Sequence, residues 1–340
     1  MSSQQAAART PRATSVALLW AIALSCGLLA GASGAFAQSS PAQNWPTKPI
    51  RAILPIAPGT GADVITRLVL NQLSQQLGQS IVIENKGGAG GTIGAAMVAK
   101  ADPDGYTLLA HSSTHVIAPS MYTNLPYDTA QDFAAVVPLG SVPSALVISP
   151  SKGIKNLHDF VAAAKAAPGG FTYASAGVGA TTHLTAERFR ISAGFPAVHV
   201  PFRGGGFQPE VIAGRVDFAY SPIATSLPNI REGRLQALAV SSPKRASALP
   251  EVPTTLEMGF ANSDYVIWVG LFFPAKTPRA LVDKLHFETR KALETPSLRD
   301  RLAALDVAPM PMSPVEFDAL IKREIVTNAA LAKAAGLKPN

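Results

Sequence analysis

Three segments of the chain place small and hydroxyl-bearing residues between an apolar run and a helical pattern. They span residues 55–63, 110–114 and 175–183 and contain no lysine or arginine. The first N–H groups of a helix have no partner within the helix and lie at the positive end of its dipole. Glycine and alanine let an anion approach them, and serine and threonine add hydroxyl donors. Together, these segments predict a binding site for a small carboxylate.

The candidate ligand-binding residues of these segments are small, hydroxyl-bearing or polar. They are Gly59, Thr60, Gly61, Asp63, Ser112, Ser113, Thr114, Ser175, Ala176, Thr181, Thr182 and His183. Arg203, in a glycine-rich turn further along, is the best candidate for a charged contact, because a guanidinium can hold a carboxylate through two parallel hydrogen bonds. The alternative is a solvated arginine, since most arginines are exposed.

Several of these candidates also have a purely structural interpretation. Asp63 either contacts an amine or hydroxyl of the ligand or forms the N-cap of the helix that it opens; we favour the N-cap, where aspartate is strongly preferred. The hydroxyls of Thr181 and Thr182 bind the ligand, cap the helix, or do both. His183 contacts the ligand or packs to hold the loop. For residues 112–114 we favour binding, because ligands of open α/β sheets bind at strand ends.

Other patterns argue against a metal or a dinucleotide. His111 and His115 are four residues apart, but no nearby carboxylate completes a metal site, so we expect none. The glycine-rich stretch 87–94 follows a strand, yet its third glycine falls at Gly94 instead of at residue 93, so the spacing of a dinucleotide loop fails. Close packing of the backbone is the better explanation of these glycines, and we expect no cofactor.

Catalytic motifs are missing from the sequence. It contains no G-x-S-x-G, no H-E-x-x-H and no P-loop, so we expect a protein that is not an enzyme and has no catalytic residues. One rival interpretation is an exported hydrolase that pairs Ser175 with His183, which would need a third group to orient the histidine. Another is a sensory module that binds a ligand and signals through a membrane partner.

The N-terminus has the features of an export signal. Arg9 and Arg12 precede an apolar stretch over residues 16–32, and Ala35-Phe36-Ala37 has the A-x-A pattern of a cleavage site. We therefore predict a cleavable signal peptide over residues 1–37 and a periplasmic location. An uncleaved membrane anchor is the alternative, because the apolar stretch is nearly long enough to span a bilayer.

Composition narrows the possible partners. Cys26 is the only cysteine and lies in the predicted signal peptide, where we interpret it as part of the apolar stretch and not as a lipidation site. The exported chain would then lack disulfides and thiol chemistry. The formal net charge is +7, but no run of lysine and arginine indicates nucleic acid or an anionic membrane. Strands alternate with helices throughout, which predicts an α/β fold.

The order of short motifs along the chain is specific, although each motif alone is weak. The motifs include Trp45-Pro46-Thr47-Lys48-Pro49-Ile50, Val82-Ile83-Glu84-Asn85-Lys86, Gly88-Ala89-Gly90-Gly91, Pro103-Asp104-Gly105-Tyr106-Thr107-Leu108, Leu125-Pro126-Tyr127-Asp128, His199-Val200-Pro201-Phe202-Arg203-Gly204-Gly205 and Leu249-Pro250-Glu251-Val252-Pro253-Thr254. The set resembles the Bug family, the periplasmic solute-binding proteins of tripartite tricarboxylate transporters.

The resemblance implies two α/β lobes that close on a ligand like a flytrap. The alternation of strands and helices predicts that each lobe is a mainly parallel sheet flanked by helices. Residues 45–143 and 242–340 would form the first lobe and residues 144–241 the second. The resemblance also implies a monomer that binds a small carboxylate or amino acid and passes it to the permease subunits in the membrane. It adds Gly204 and Gly205 to Arg203 as ligand-binding candidates.

One departure from the family pattern concerns the first loop. The family usually has a Gly-Gly pair where this chain has Gly59-Thr60. Because Thr60 adds a hydroxyl and a methyl group, the identity of the ligand cannot be copied from relatives. A C4 dicarboxylate, a tricarboxylate, an amino acid and an aromatic acid all stay open.

Overall fold

The computed structural model describes residues 43–202 and 206–339. The predicted signal peptide, residues 1–37, lies outside them. The strands are β1 (Ile50–Leu54), β2 (Ile81–Asn85), β3 (Thr107–Ser112), β4 (Phe133–Val142), β5 (Ser144–Ile148), β6 (Phe171–Ser175), β7 (Ala197–Pro201), β8 (Phe218–Pro222), β9 (Gln236–Val240) and β10 (Ile267–Pro274).

The α-helices follow the strands in the alternation that the sequence predicts. They are α1 (Gly61–Leu77), α2 (Thr92–Ala99), α3 (Ala118–Met121), α4 (Leu157–Ala166), α5 (Thr181–Ala193), α6 (Gln208–Ile212), α7 (Ile223–Arg231), α8 (Arg279–Leu293), α9 (Pro296–Ala304) and α10 (Pro314–Ala334). In the part of the chain that the structure describes, no helix has both the length and the apolar character needed to cross a bilayer.

The strands form two five-stranded sheets. The first has the order β2-β1-β3-β10-β4 and the second the order β7-β6-β8-β5-β9. Both are mixed: β1 pairs in parallel with β2 and β3, and β6 with β7 and β8, whereas β10 and β5 pair antiparallel with both of their neighbours. The alternation of strands and helices in the sequence predicts mainly parallel sheets. The difference arises because β5 and β10 are the first strands after the chain crosses to the other sheet, so no crossover helix sets their direction.

Helices cover both faces of each sheet. On the first sheet, one face packs against α1, α8 and α9 through residues such as Leu70, Leu285 and Leu302, and the other packs against α2 and α10. On the second sheet, α4 and α5 cover one face and α6 and α7 the other. Coverage on both sides explains why the inner strands β5 and β10 are buried along their whole length.

The chain crosses between the sheets at two neighbouring places. Pro143 alone separates β4 from β5, and the chain returns after β9 through Ser241. Ser241 is fully buried and bonds to both crossings. Its N–H donates to the Ser144 carbonyl (2.8 Å), its hydroxyl donates to the Tyr265 carbonyl (2.8 Å), and its carbonyl accepts the Tyr265 N–H (2.8 Å). The Ser144 N–H donates to the Ser241 hydroxyl (3.3 Å).

Candidate functional site

The first loop joins β1 to α1, and Thr60 is the N-cap of that helix. The Thr60 hydroxyl accepts the N–H of Asp63 (3.4 Å) and donates to the carbonyl of Ala57 (2.9 Å). It is therefore fully engaged within the loop. The N–H groups of Gly61 and Ala62 have no hydrogen-bond partner among the described residues, as expected at a helix N-terminus.

Asp63 is not the N-cap, which corrects the interpretation favoured from the sequence. Its carboxylate is 2% exposed and accepts hydrogen bonds from the Gly59 N–H (2.9 Å), Arg67 Nε (3.0 Å) and Asn85 Nδ2 (2.9 Å). Burial acts to raise the pKa of Asp63, but these bonds outweigh it and lower the pKa below its ordinary value. The carboxylate thus fixes the shape of the first loop.

The second loop follows β3 and continues into a short 3-10 helix, Ser113–Val116. The Ser112 hydroxyl accepts the Thr114 N–H (3.4 Å) and donates to Thr114 Oγ1 (3.1 Å), so the two side chains hold each other. Ser113 is fully buried, and its hydroxyl has no hydrogen-bond partner within the described ranges.

His111 and His115 lie under this loop with ring centroids 5.4 Å apart. Burial lowers the pKa of His111 to about 3 and that of His115 well below its ordinary value, so both rings are neutral near pH 7. A search of the described residues finds no group of three His, Cys, Asp or Glu side chains that could hold a metal. A Cβ added to Gly91 would lie 2.6 Å from His111 Nε2, which confirms close backbone packing in the glycine-rich stretch.

The third loop joins β6 to α5. The N-cap residue of α5 is Ala180, whose side chain has no hydrogen-bond acceptor. Neither Thr181 nor Thr182 caps the helix, although the sequence left that interpretation open. The Thr182 hydroxyl instead accepts the Ala176 N–H (3.0 Å), and His183 Nδ1 accepts the Gly179 N–H (3.1 Å). Among the residues described, the N–H groups of Thr181 and Thr182 have no partner.

Ser175 pairs with a different histidine from the one that the hydrolase interpretation requires. Its hydroxyl lies 2.6 Å from Nε2 of His199, on the neighbouring strand β7, whereas His183 bonds to Gly179. Ser175 is fully buried, and its oxygen also accepts the Gly177 N–H (3.1 Å). A hydroxyl buried and engaged in this way is not presented to a substrate. The sequence does not indicate this pairing, because Ser175 and His199 are 24 residues apart.

Loops of the two sheets approach each other at two points. A Cβ added to Gly179, in the third loop, would lie 2.8 Å from Met121 Cγ at the end of α3, and one added to Gly61 would lie 4.0 Å from Thr225 Cγ2 on α7. The structure therefore places the first and third loops where the first sheet's elements meet the second's. Arg203, Gly204 and Gly205 lie outside the described residues.

Thr225 is a residue of this region that the sequence analysis missed. Its hydroxyl donates to the carbonyl of Pro222 (3.0 Å) and is 3.3 Å from Nε2 of Gln208, which also donates to Ser221 (3.0 Å). A sequence signal exists: residues 221–226 span the point where β8 passes directly into α7, and they include three hydroxyl residues, Ser221, Thr225 and Ser226. They lack the glycines that mark the three loops.

Comparison with known proteins identifies relatives of the whole arrangement. Residues 65–337 match the family model TctC, described as "Tripartite tricarboxylate transporter family receptor". The protein BugT of Bordetella pertussis is 32% identical over 300 residues, which cover 87% of this chain and 92% of BugT.

Solved structures with carboxylates share the fold. An R. palustris protein with adipate is 29% identical and covers 87% of this chain and 100% of its own, with a TM-score of 0.81. MatC from Rhodopseudomonas palustris, with bound malate, is 30% identical and covers 84% of this chain and 99% of its own, with a TM-score of 0.77. The periplasmic binding protein BugD gives a TM-score of 0.79 at 29% identity, with 87% of this chain and 100% of BugD covered. The chain therefore belongs to the family of tripartite tricarboxylate transporter receptors, and it has their two-lobed α/β fold.

Proposed function

We propose that this protein is an exported receptor that captures a small carboxylate between its two lobes and delivers it to a membrane transporter. Family membership supports the receptor class, and the relatives solved with adipate and malate support an organic acid as the ligand. The observation that carries the proposal is the N-terminus of α5. It has no side-chain cap, its first two N–H groups have no partner in the described part of the chain, and it lies where the two sheets' elements meet.

The N-terminus of α1 supplies a second set of donors. The N–H groups of Gly61 and Ala62 have no partner among the described residues, and a Cβ added to Gly61 would lie 4.0 Å from Thr225 Cγ2, beside the other sheet. Asp63 does not oppose an anion here, because its carboxylate is buried, its charge is balanced by Arg67, and Asn85 donates a hydrogen bond to it. The N-termini of α1 and α5, which pack on different sheets, would both offer unpaired N–H groups and a positive dipole end to a negatively charged ligand.

We place the lobes at residues 45–143 with 242–340, and at residues 144–241. The membership of the two sheets supports this division, since β5 to β9 form one sheet and the other strands form the second. Ligand binding would close the lobes about the two crossings. The candidate contacts stay those of the first, second and third loops apart from the buried side chains of Asp63 and Ser175, together with Arg203, Gly204 and Gly205.

We further propose that the protein acts in the periplasm as a monomer, without catalysis, and that its partners are the permease subunits of the transporter. The burial of Ser175 argues against the hydrolase interpretation. A sensory module would share this fold and differ in its membrane partner. Ligand-dependent crosslinking to membrane proteins distinguishes the two, because a receptor would be captured on the permease and a sensor on a signalling protein.

The decisive experiment is a thermal-shift screen of residues 38–340 against adipate, malate, citrate, glutamate and an aromatic acid. A ligand at a hundred times its Kd stabilises the native state by about 2.7 kcal/mol, which such a screen detects. We expect a saturable shift from one class of carboxylate and no product in the incubated sample. A folded, ligand-free protein that responds to none of these acids would contradict the proposal, and a product would point to an enzyme.

A further inference from the structure

Three aromatic rings form a cluster beneath the third loop. The imidazoles of His183 and His199 are stacked, with centroids 3.7 Å apart and planes within 9°. The ring of Tyr173 lies 4.9 Å from His199 and 5.9 Å from His183, with its plane within 25° of both. We call these three side chains the ring cluster. It joins α5, β7 and β6, the elements on which the third loop is built.

Each imidazole of the ring cluster is connected to the backbone of the third loop by hydrogen bonds. His183 Nδ1 accepts the N–H of Gly179 directly (3.1 Å). His199 Nε2 bonds to Ser175 Oγ (2.6 Å), and that oxygen accepts the N–H of Gly177 (3.1 Å). Gly177 and Gly179 have φ of 127° and 74°, values that residues other than glycine rarely adopt, so the loop needs such bonds to hold its shape.

The other end of the cluster is anchored by charge. The Tyr173 hydroxyl donates to Glu187 Oε1 (2.5 Å), and Glu187 is paired with Arg190 (2.6 Å) on the same helix. Glu187 lies one helical turn after His183, so both side chains project from the same face of α5. This anchoring fixes the tyrosine ring against which the imidazoles pack.

We propose that His199 and Ser175 are positioning residues for ligand binding: they hold the third loop so that the free N–H groups at the start of α5 face the ligand. This inference rests on the proposed function, because it concerns the same binding loop. His199 acts through Ser175 on Gly177, and through the stack on His183 and hence on Gly179. The serine–histidine pair is thus a brace for the backbone and not a nucleophile with its base.

The electrostatic state of the cluster agrees with this role. Burial, followed by the neighbouring His199 and Arg190, lowers the pKa of His183 to about 3. Burial also lowers the pKa of His199 to about 4, against an opposing effect of Glu187. Both rings are therefore neutral at pH 7, so they stack without repulsion, and Nδ1 of His183 is available to accept the Gly179 N–H.

Three variants separate the two contacts of His199. His199→Phe keeps a ring for the stack but loses the bond to Ser175, whereas His199→Gln keeps a polar group for that bond but loses the stack. Ser175→Ala removes the bond and leaves both rings in place. His158→Phe is the matched control, because His158 is an exposed histidine on α4, outside the cluster and the loops.

Two readouts are measured on each variant: Kd for adipate and for malate by calorimetry, and amide hydrogen exchange without ligand. Loss of one hydrogen bond in the brace should weaken binding about tenfold in Ser175→Ala and His199→Phe. Exchange at Gly177 should accelerate about tenfold in the same two variants, while Ala176, held by Thr182, changes little. His199→Gln should protect Gly177 and accelerate exchange at Gly179 instead. The control should match the wild type in both readouts.

The outcomes test the positioning role of His199 and Ser175 separately from the proposed receptor function. Unchanged exchange at Gly177 in folded Ser175→Ala and His199→Phe would overturn the positioning role, as would unchanged Kd despite accelerated exchange. If the wild type binds neither adipate nor malate, the exchange readout alone decides whether these residues brace the loop, and the proposed function is contradicted for these two acids. A uniform rise in exchange across the second sheet would also overturn the proposal, because it would indicate a general loss of stability.

Discussion

The first and third loops both connect a strand to the N-terminus of a helix, but they are held in different ways. In the first loop, the helix has its own N-cap, Thr60, and a buried carboxylate paired with Arg67 ties the turn together. In the third loop, the helix has no side-chain cap, and two neutral imidazoles hold the turn from below. Similar backbone donors can therefore be presented by a charged scaffold or by an uncharged one, and the two should respond differently to substitution and to pH.

The largest expected loss of stability comes from a substitution in the first loop, which the buried carboxylate of Asp63 holds. Asp63→Asn keeps the shape of the side chain but removes the charge that Arg67 and the Gly59 N–H bind. Because the carboxylate is buried and Arg67 is half-exposed, we expect a loss of about 3 kcal/mol in the free energy of unfolding, at the lower end for a buried ion pair. Urea denaturation measures it.

Asp283→Asn is the matched control for that change. Asp283 forms the same i,i+4 type of pair with Arg279, but both side chains are more than half exposed. The control should lose no more than about 0.5 kcal/mol. Equal losses in the two variants would show that the first loop does not depend on its buried charge.

Mild acid should lower the free energy of unfolding through the third loop, which neutral histidines hold, more than through the first loop. The pKa of His183 is about 3 in the folded protein, below the ordinary value of 6.5. Between these two values the unfolded chain binds the extra proton, so the free energy of unfolding rises with pH through this window and falls on acidification. From pH 7 to pH 5 we expect His183 to contribute a loss of about 2 kcal/mol.

Urea denaturation at the two pH values tests this contribution. In His183→Phe, the titrating ring is absent, so the difference in stability between pH 7 and pH 5 should be smaller than in the wild type by about 2 kcal/mol. An unchanged difference would mean that His183 is protonated as easily in the folded state as in the unfolded state. His111, His115 and His199 remain in both proteins and cancel in the comparison.

Ligand affinity should show whether both loops donate to the ligand. Thr181 and Gly61 are the first residues of α5 and α1, a position where proline fits the helix and removes only an N–H that the helix does not use. Thr181→Pro and Gly61→Pro should each weaken binding of the ligand found in the screen about tenfold, the effect of losing one hydrogen bond to a charged group.

Calorimetry measures both affinities, and two further variants serve as controls. Thr181→Ala keeps the N–H and tests the hydroxyl alone. Arg279→Pro makes the same change at the first residue of α8, which is exposed and belongs to none of the three loops. If only one of the two loop variants binds more weakly, the ligand relies on one helix end and the symmetry of the proposed site is wrong.

The smallest effect concerns the N-cap of α1. Thr60→Ser keeps the hydroxyl that caps the helix and should change stability by a few tenths of a kcal/mol, whereas Thr60→Val keeps the shape, loses the cap and should cost about 1 kcal/mol. Thermal denaturation of the two variants measures the difference. Equal melting temperatures would show that the cap contributes nothing and that Asp63 alone shapes the first loop.

Much of this architecture is predictable from the sequence because strand, loop and helix alternate with clear stops. The α/β class and the three loops follow from that pattern. The N-cap of α1 does not: Thr60 and Asp63 are both good N-cap residues, three positions apart, and only the backbone conformation decides between them. The antiparallel direction of β5 and β10 likewise depends on where the chain crosses between sheets.

Contacts between distant residues account for the remaining errors. Ser175 meets His199 because β6 and β7 are neighbours in register, with Tyr173 opposite His199. That pairing requires the strand order, which periodicity does not give. For His183 the sequence leaves ligand contact and packing open; the structure shows the packing, against the His199 ring on strand β7. Thr225 does not stand out in the sequence, because it lies in the first turn of α7 and the junction with β8 has no glycine.

Ser241 gives the junction between the sheets a mechanical property. Two crossings of the chain between two lobes can in general bend and twist independently of each other. Here one buried serine bonds to Ser144 on the outgoing strand and to Tyr265 on the way back. These hydrogen bonds therefore tie the two crossings to each other, so that they form one junction. If the lobes close on a ligand as proposed, bending at this junction would leave the four bonds intact, whereas twisting or sliding would stretch them.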